Sequence, residues 1–137
     1  MKIKSIWFDG DLIYGRDEEG QVYRQSLLWY PRLLNADDEQ RAKYSIGLDG
    51  IHWRELDEDI SFESFEYKDA IPSPLQSFFL KHREINISEF ANSMGINATL
   101  LRNYINGFKT PSQERSDAIL SHLHKMGKEY MECSFSE

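Results

Sequence analysis

The side chains best suited to chemistry lie close together between residues 97 and 112. Ala98, Thr99, Arg102 and Asn103 fall on one side of a helix that Asn97 would open. These types match the edges of base pairs. An arginine fork pairs with guanine O6 and N7, an asparagine amide suits adenine, a threonine hydroxyl takes a base edge or a phosphate, and an alanine methyl meets a thymine methyl. Just beyond, Asn106, Lys109 and the backbone N–H groups at Thr110 and Ser112 are candidates for phosphate contact, because a helix N-terminus attracts anions. Asn97 is aimed at base edges with the four helix residues, and the competing reading of these five is an ordinary solvated helix face.

A second group, His52, Asp57, Glu58 and Asp59, invites a metal or acid–base reading. No second His or Cys lies nearby and no nucleophile pairs with His52, so a structural role is preferred. In that role Asp57 or Asp59 caps a short helix while Leu56 and Ile60 pack inward. Asp9 and Asp11 flank Gly10 and read as a turn rather than a metal pair. The chain has no phosphate-binding glycine loop, no CxxC pair and no helical His-x-x-x-His. No catalytic residue, metal ligand or cofactor is assigned, and enzymatic activity is not expected.

The elements that must position residues 97–112 are written in local signals. Asn86 caps a helix, with Glu89 completing a capping box and Ile85 and Phe90 spaced as a hydrophobic staple. Ile87, Phe90, Ala91 and Met94 form one apolar stripe. Gly95 takes the left-handed conformation that stops the helix. Asn97 opens the second helix, Leu101, Tyr104 and Ile105 face inward, and Asn106-Gly107 ends it. The run Ala91-x-x-x-Gly95, Ile96, Leu101, Tyr104 and Asn106-Gly107 resembles the lambda repressor and Cro-like helix-turn-helix of phage repressors. That resemblance implies a DNA-binding transcriptional regulator whose recognition helix, residues 97–106, enters the major groove N-terminus first. One position departs from it: Ile87 stands where the family often has a glutamine that touches phosphate or supports the recognition helix.

Composition sets the frame. The 137 residues are 40% hydrophobic, 13% aromatic and 28% charged, enough for a packed soluble fold. A single cysteine, Cys133, excludes an internal disulfide framework. Asp9 and Asp11 interrupt the apolar N-terminus, so neither a signal peptide nor a membrane span is expected, and the cytoplasm is the expected location. The net charge of −7 lies wholly in the first half: residues 1–71 hold 9 Lys/Arg against 16 Asp/Glu, whereas residues 72–137 hold 7 of each. The second half can therefore present a locally positive face to DNA, and the asymmetry points to two modules.

In chain order, residues 3–8, 11–15 and 21–24 read as a three-strand antiparallel meander turned at Asp9-Gly10 and Asp17–Gly20. Residues 26–30 form a short helix or turn stopped by Pro31, and residues 35–44 a helix capped by Asn35. Residues 44–48 read as a strand. Two prolines mark a linker at 69–74, after which Ser73-Pro74-Leu75-Gln76 starts a helix with inner face Leu75, Phe78, Phe79 and His82. Thr110-Pro111-Ser112-Gln113 opens another, which Gly127 interrupts before a terminal helix or tail. The expected class is α+β: a small acidic antiparallel-sheet domain at 1–68, then an all-α, four- or five-helix lambda repressor-like domain at 75–137.

Residues 1–66 resemble a small bacterial α+β domain family of unknown function, through Pro31-Arg-Leu-Leu-Asn-Ala36 with Glu39 and Arg41, and through Gly50-Ile-His-Trp-x-x-Leu-Asp-Glu-Asp-Ile-Ser61. That resemblance implies a regulator or an antitoxin-like protein, since such domains occur fused to phage-type helix-turn-helix domains and beside short toxin-like genes. The expected partners are double-stranded DNA, a second copy of the chain, and a basic protein for the acidic domain. No membrane is expected among them. The dimer surface is either the last helix or the α+β domain.

Overall fold

The computed structural model describes residues 1–136 and divides into two compact units, Met1–Lys81 and one that begins at His82. In the first, alternating apolar and polar residues give β1 (Ile3–Asp9), β2 (Leu12–Asp17) and β3 (Val22–Ser26), an antiparallel meander. Pairing of Phe8 with Ile13 and of Tyr14 with Arg24 fixes its register. Ile3 and Ile13 are thereby buried, while Trp7 faces outward and stacks on Tyr14 at 5.5 Å.

A 3-10 turn at Leu27–Trp29 leads into α1 (Pro31–Leu34). Pro31 opens this helix rather than stopping the one before it, because a missing N–H costs nothing at the first helical position. The next helix, α2 (Asp38–Ala42), is capped by Asp37 and not by Asn35. Asp37 Oδ1 accepts from the Gln40 N–H at 2.7 Å and Gln40 Oε1 accepts from the Asp37 N–H at 3.0 Å, a complete capping box.

The stretch expected to hold a capped short helix is instead a hairpin. β4 (Ser45–Ile46), β5 (Gly50–Trp53) and β6 (Glu58–Ser61) make a second antiparallel sheet. Alternation decides it: Ile51, Trp53 and Ile60 are buried, and His52 and Asp59 share the other face. One small sheet was expected in this half and two three-stranded sheets are present. They share one core that includes Ile3, Ile13, Leu33, Ile51, Trp53 and Ile60. A Cβ at Gly50 would lie 2.7 Å from the Ile60 carbonyl oxygen and 3.2 Å from Ser61 Cα. That backbone cannot yield without opening the hairpin. Gly50→Ala is expected to cost about 1–3 kcal/mol, read as a lower urea midpoint; an unchanged midpoint would contradict this strand contact.

A buried polar network closes the same unit. Gln25 Nε2 donates to Ser64 Oγ at 2.9 Å, Tyr30 Oη donates to Gln25 Oε1 at 2.9 Å, and Ser64 Oγ donates to the Ser61 carbonyl at 2.7 Å. Burial raises the Tyr30 phenol above its ordinary value near 10, and the Ser64 contact offsets this only in part. The folded state thus holds this proton more tightly than the unfolded chain. Its contribution to stability is complete below about pH 10 and is lost as pH rises through the raised value. Thermal melts from about pH 9 to about pH 11 should fall less steeply for Tyr30→Phe than for the parent chain; equal slopes would remove Tyr30 from the alkaline transition.

Segment 69–74, expected as a linker, is tied to the first unit. Trp29 Nε1 donates to the Asp69 carbonyl and the Ser26 N–H to the Ala70 carbonyl, both at 2.9 Å. The helix that follows, α3 (Pro74–Lys81), has the expected cap, with Ser73 Oγ accepting from the Gln76 N–H and Gln76 Oε1 from the Ser73 N–H. Its buried face is Gln76, Phe79 and Leu80, and His82 lies beyond the helix end, exposed.

The second unit contains α4 (Ile87–Ser93), α5 (Ala98–Asn106) and α6 (Gln113–Glu132). The expected four- or five-helix domain of the lambda repressor type is therefore corrected. Among the described residues three helices form this unit, and the helix counted as its first belongs with the sheets. The last runs unbroken through Gly127, where a cost of about 1 kcal/mol for glycine does not outweigh the helix formers around it. The class is α+β. Among the described residues no helix is long and apolar enough to cross a membrane.

Candidate nucleic-acid interface

Local hydrogen bonds fix how α5 leaves α4. Asn86 Oδ1 accepts from the Glu89 N–H at 3.0 Å and starts α4. At its other end Gly95 adopts φ +76°, the Ile96 N–H bonds the Ala91 carbonyl at 3.0 Å and the Gly95 N–H bonds the Asn92 carbonyl at 3.1 Å. This is the Schellman pattern, and a side chain at Gly95 would oppose that φ. Asn97 Oδ1 then accepts from the N–H groups of Thr99 and Leu100 at 2.7 and 3.3 Å. Leu101, Tyr104 and Ile105 are buried, as are Phe90 and Ala91 of α4. Gly107 stops α5 in the left-handed region.

The opposite side of α5 is polar and open. Thr99, Arg102 and Asn106 are exposed, and Ala98 and Asn103 are half-buried. Lys109, Thr110 and Ser112 are exposed in the segment before α6. Two of the nine candidates already have a structural duty: Asn97 Oδ1 caps α5, and Ser112 Oγ accepts from the Arg115 N–H at 3.1 Å to cap α6. Asn97→Ala should cost about 1 kcal/mol of helix stability, read from a thermal melt; no shift would mean that the cap is redundant.

Arg102 is not loose. Its Nη2 donates to Ser88 Oγ on the first turn of α4 at 2.6 Å. Sequence reasoning passed over Ser88, which lies 14 positions away. Phe108, 79% exposed at the end of α5, was also passed over, although a large apolar residue directly after Asn-Gly was a visible signal.

The other candidate group sits on the outer face of the second sheet. Ser45, His52 and Asp59 stand in one row across β4, β5 and β6. His52 Nδ1 lies 2.5 Å from Asp59 Oδ1. A polar pocket of about 400 Å³ is lined by this row together with Trp53, Arg54, Asp57 and Glu58. The far side of the ring turns toward Gly47, where a Cβ would lie 2.9 Å from His52 Nε2. Asp59 can orient the imidazole, and His52 Nε2 lies beside Gly47. Among the described residues no three His, Cys, Asp or Glu side chains are placed to hold a metal ion.

The flanking motif residues serve the fold. Arg32 Nη1 donates to the Asp57 carbonyl at 2.6 Å and holds the β5–β6 turn, in which Asp57 has φ 50°. Arg41 donates to the Leu33 and Leu34 carbonyls at 3.0 and 3.1 Å, satisfying the end of α1. Trp53 Nε1 returns to the Arg41 carbonyl at 2.9 Å. The two N-terminal motifs thus clasp each other.

Residues 3–70 match the model of a family described as "Protein of unknown function (DUF2442)". No curated protein and no solved structure matches the chain.

Proposed function

We propose that this chain is a DNA-binding transcriptional regulator that lays α5 in the major groove. The observation that supports this most is the division of α5 itself. One side is buried through Leu101, Tyr104 and Ile105, and the other carries Thr99, Arg102 and Asn106 into solvent with Arg102 held by Ser88. Arg102 reads a guanine and Asn103 an adenine, while Thr99 and Ala98 meet a base edge or a thymine methyl. Asn106, Lys109 and the N–H groups at Thr110 and Ser112 meet phosphates. Because Asn97 Oδ1 caps the helix, its remaining contribution to DNA is its amide N–H group.

A single unit of this size buries too little DNA for tight specific binding, so the chain acts as a homodimer on two half-sites about one helical turn apart. The test is binding of the full chain to its own promoter against scrambled DNA across a salt series. Preference for the promoter, with a log–log salt slope of several units, supports the reading. No preference at any salt sinks it.

A second reading concerns the acidic half, where residues 1–71 carry 9 basic against 16 acidic side chains. That surplus suits capture of a basic partner protein, with the chain repressing the promoter it shares with that partner. Co-expression with the protein encoded beside it should yield a complex that residues 82–137 do not account for; two proteins that elute separately would dismiss the reading.

A further inference from the structure

The last helix carries an exposed seam that matches itself. Ile119 is the one fully buried side chain of α6. His122 anchors the same side, edge-on to Phe90 at 5.0 Å and with Nε2 2.7 Å from Ser93 Oγ. One step round the helix, Leu120, His124, Gly127 and Met131 follow at intervals of four, three and four, the spacing of a coiled-coil seam. Leu120 is 50% exposed and Met131 88%.

We propose that this seam binds the same seam of a second copy, with the two helices antiparallel. A two-fold axis between Lys125 and Met126 sets Leu120 of each copy against Met131 of the other. It also sets His124 against Gly127, where a Cβ would meet nothing within 4 Å. The imidazole therefore enters the one seam position that has no side chain. On one flank Leu123 meets Tyr130, itself 70% exposed, and on the other Ser121 meets Lys128. No like charges face each other, and every contact occurs twice, as an isologous interface requires. A parallel pair would stack Gly127 on Gly127 and leave a hole at the centre of the seam. The proposal names the surface for the homodimer on which the DNA reading rests.

Sedimentation equilibrium of the full chain should show a reversible dimer. Leu120→Glu/Met131→Glu, at two exposed positions, should keep the circular dichroism spectrum and weaken association by at least about tenfold. With the exposed Cys133 changed to Ser, a mixture of Leu120→Cys and Met131→Cys chains should cross-link on oxidation, and neither chain alone should. A monomer at all concentrations, a dimer indifferent to the two glutamates, or cross-linking of either cysteine chain by itself would overturn the proposal. The two readings fail separately. A dimer lost in the glutamate variant without any promoter preference keeps the surface and removes the DNA reading. Promoter preference with a dimer unmoved by the glutamates removes the surface and keeps the DNA reading.

Discussion

Replacing Trp53 by alanine should lower the stability of the N-terminal unit by about 3–5 kcal/mol, a large share of what a small domain has. Trp53 is 1% exposed and sits where the second sheet meets the shared core. Phe8 of the first sheet meets it edge-on at 6.4 Å, and Tyr44 lies tilted at 6.0 Å. Alanine would leave a cavity between the two sheets and take the indole donor from the Arg41 carbonyl. Urea denaturation followed by circular dichroism measures the first loss. Trp53→Phe separates the second, since it keeps most of the packing and should cost nearer 1 kcal/mol for the hydrogen bond. If Trp53→Ala lost no more than Trp53→Phe, the indole would be serving its hydrogen bond and not the core.

What could be read from the sequence was what lies within a few residues. Ser73 and Gln76, Asn86, Gly95 and Asn97 each act on backbone groups no more than four or five positions away, and each carries the expected bond or dihedral. The face of α5 followed from the same local periodicity. The second sheet did not, because its order depends on pairs that no local rule supplies. Asp57, Glu58 and Asp59 looked like surplus or capping carboxylates. The strand placement of Glu58 and Asp59 follows from Ile60 lying opposite Ile51, and the turn at Asp57 is held by Arg32 reaching 25 residues to its carbonyl. The start of α3 was legible and its allegiance was not, since it groups with the sheets through contacts outside the helix such as Gln76 Nε2 to Asp69 Oδ2 at 3.3 Å. Gly127 misled in the opposite way, as a local helix breaker overruled by its neighbours.

Arg102→Ala is expected to weaken specific binding to the promoter site by about 1–3 kcal/mol, roughly 5- to 150-fold. The reason is geometric. The guanidinium stands clear of the buried side of α5, and the Ser88 hydroxyl occupies one of its nitrogens, which restricts the rotamers available before DNA arrives. A side chain set in advance gives up less conformational entropy on binding than a loose one. Ser88→Ala should therefore weaken binding too, by less than Arg102→Ala, and the double variant should add little to Arg102→Ala alone. Arg102→Lys keeps the charge and loses the fork, so at a guanine it should fall close to alanine. The operator supplies the control. If Arg102 reads a base, Arg102→Ala flattens discrimination at one base pair and leaves the others intact. If it neutralises a phosphate, affinity falls evenly across all sequences and the salt slope drops by about one unit. The second result would move Arg102 from recognition to anchoring and leave Asn103 and Thr99 as the side chains that choose the site.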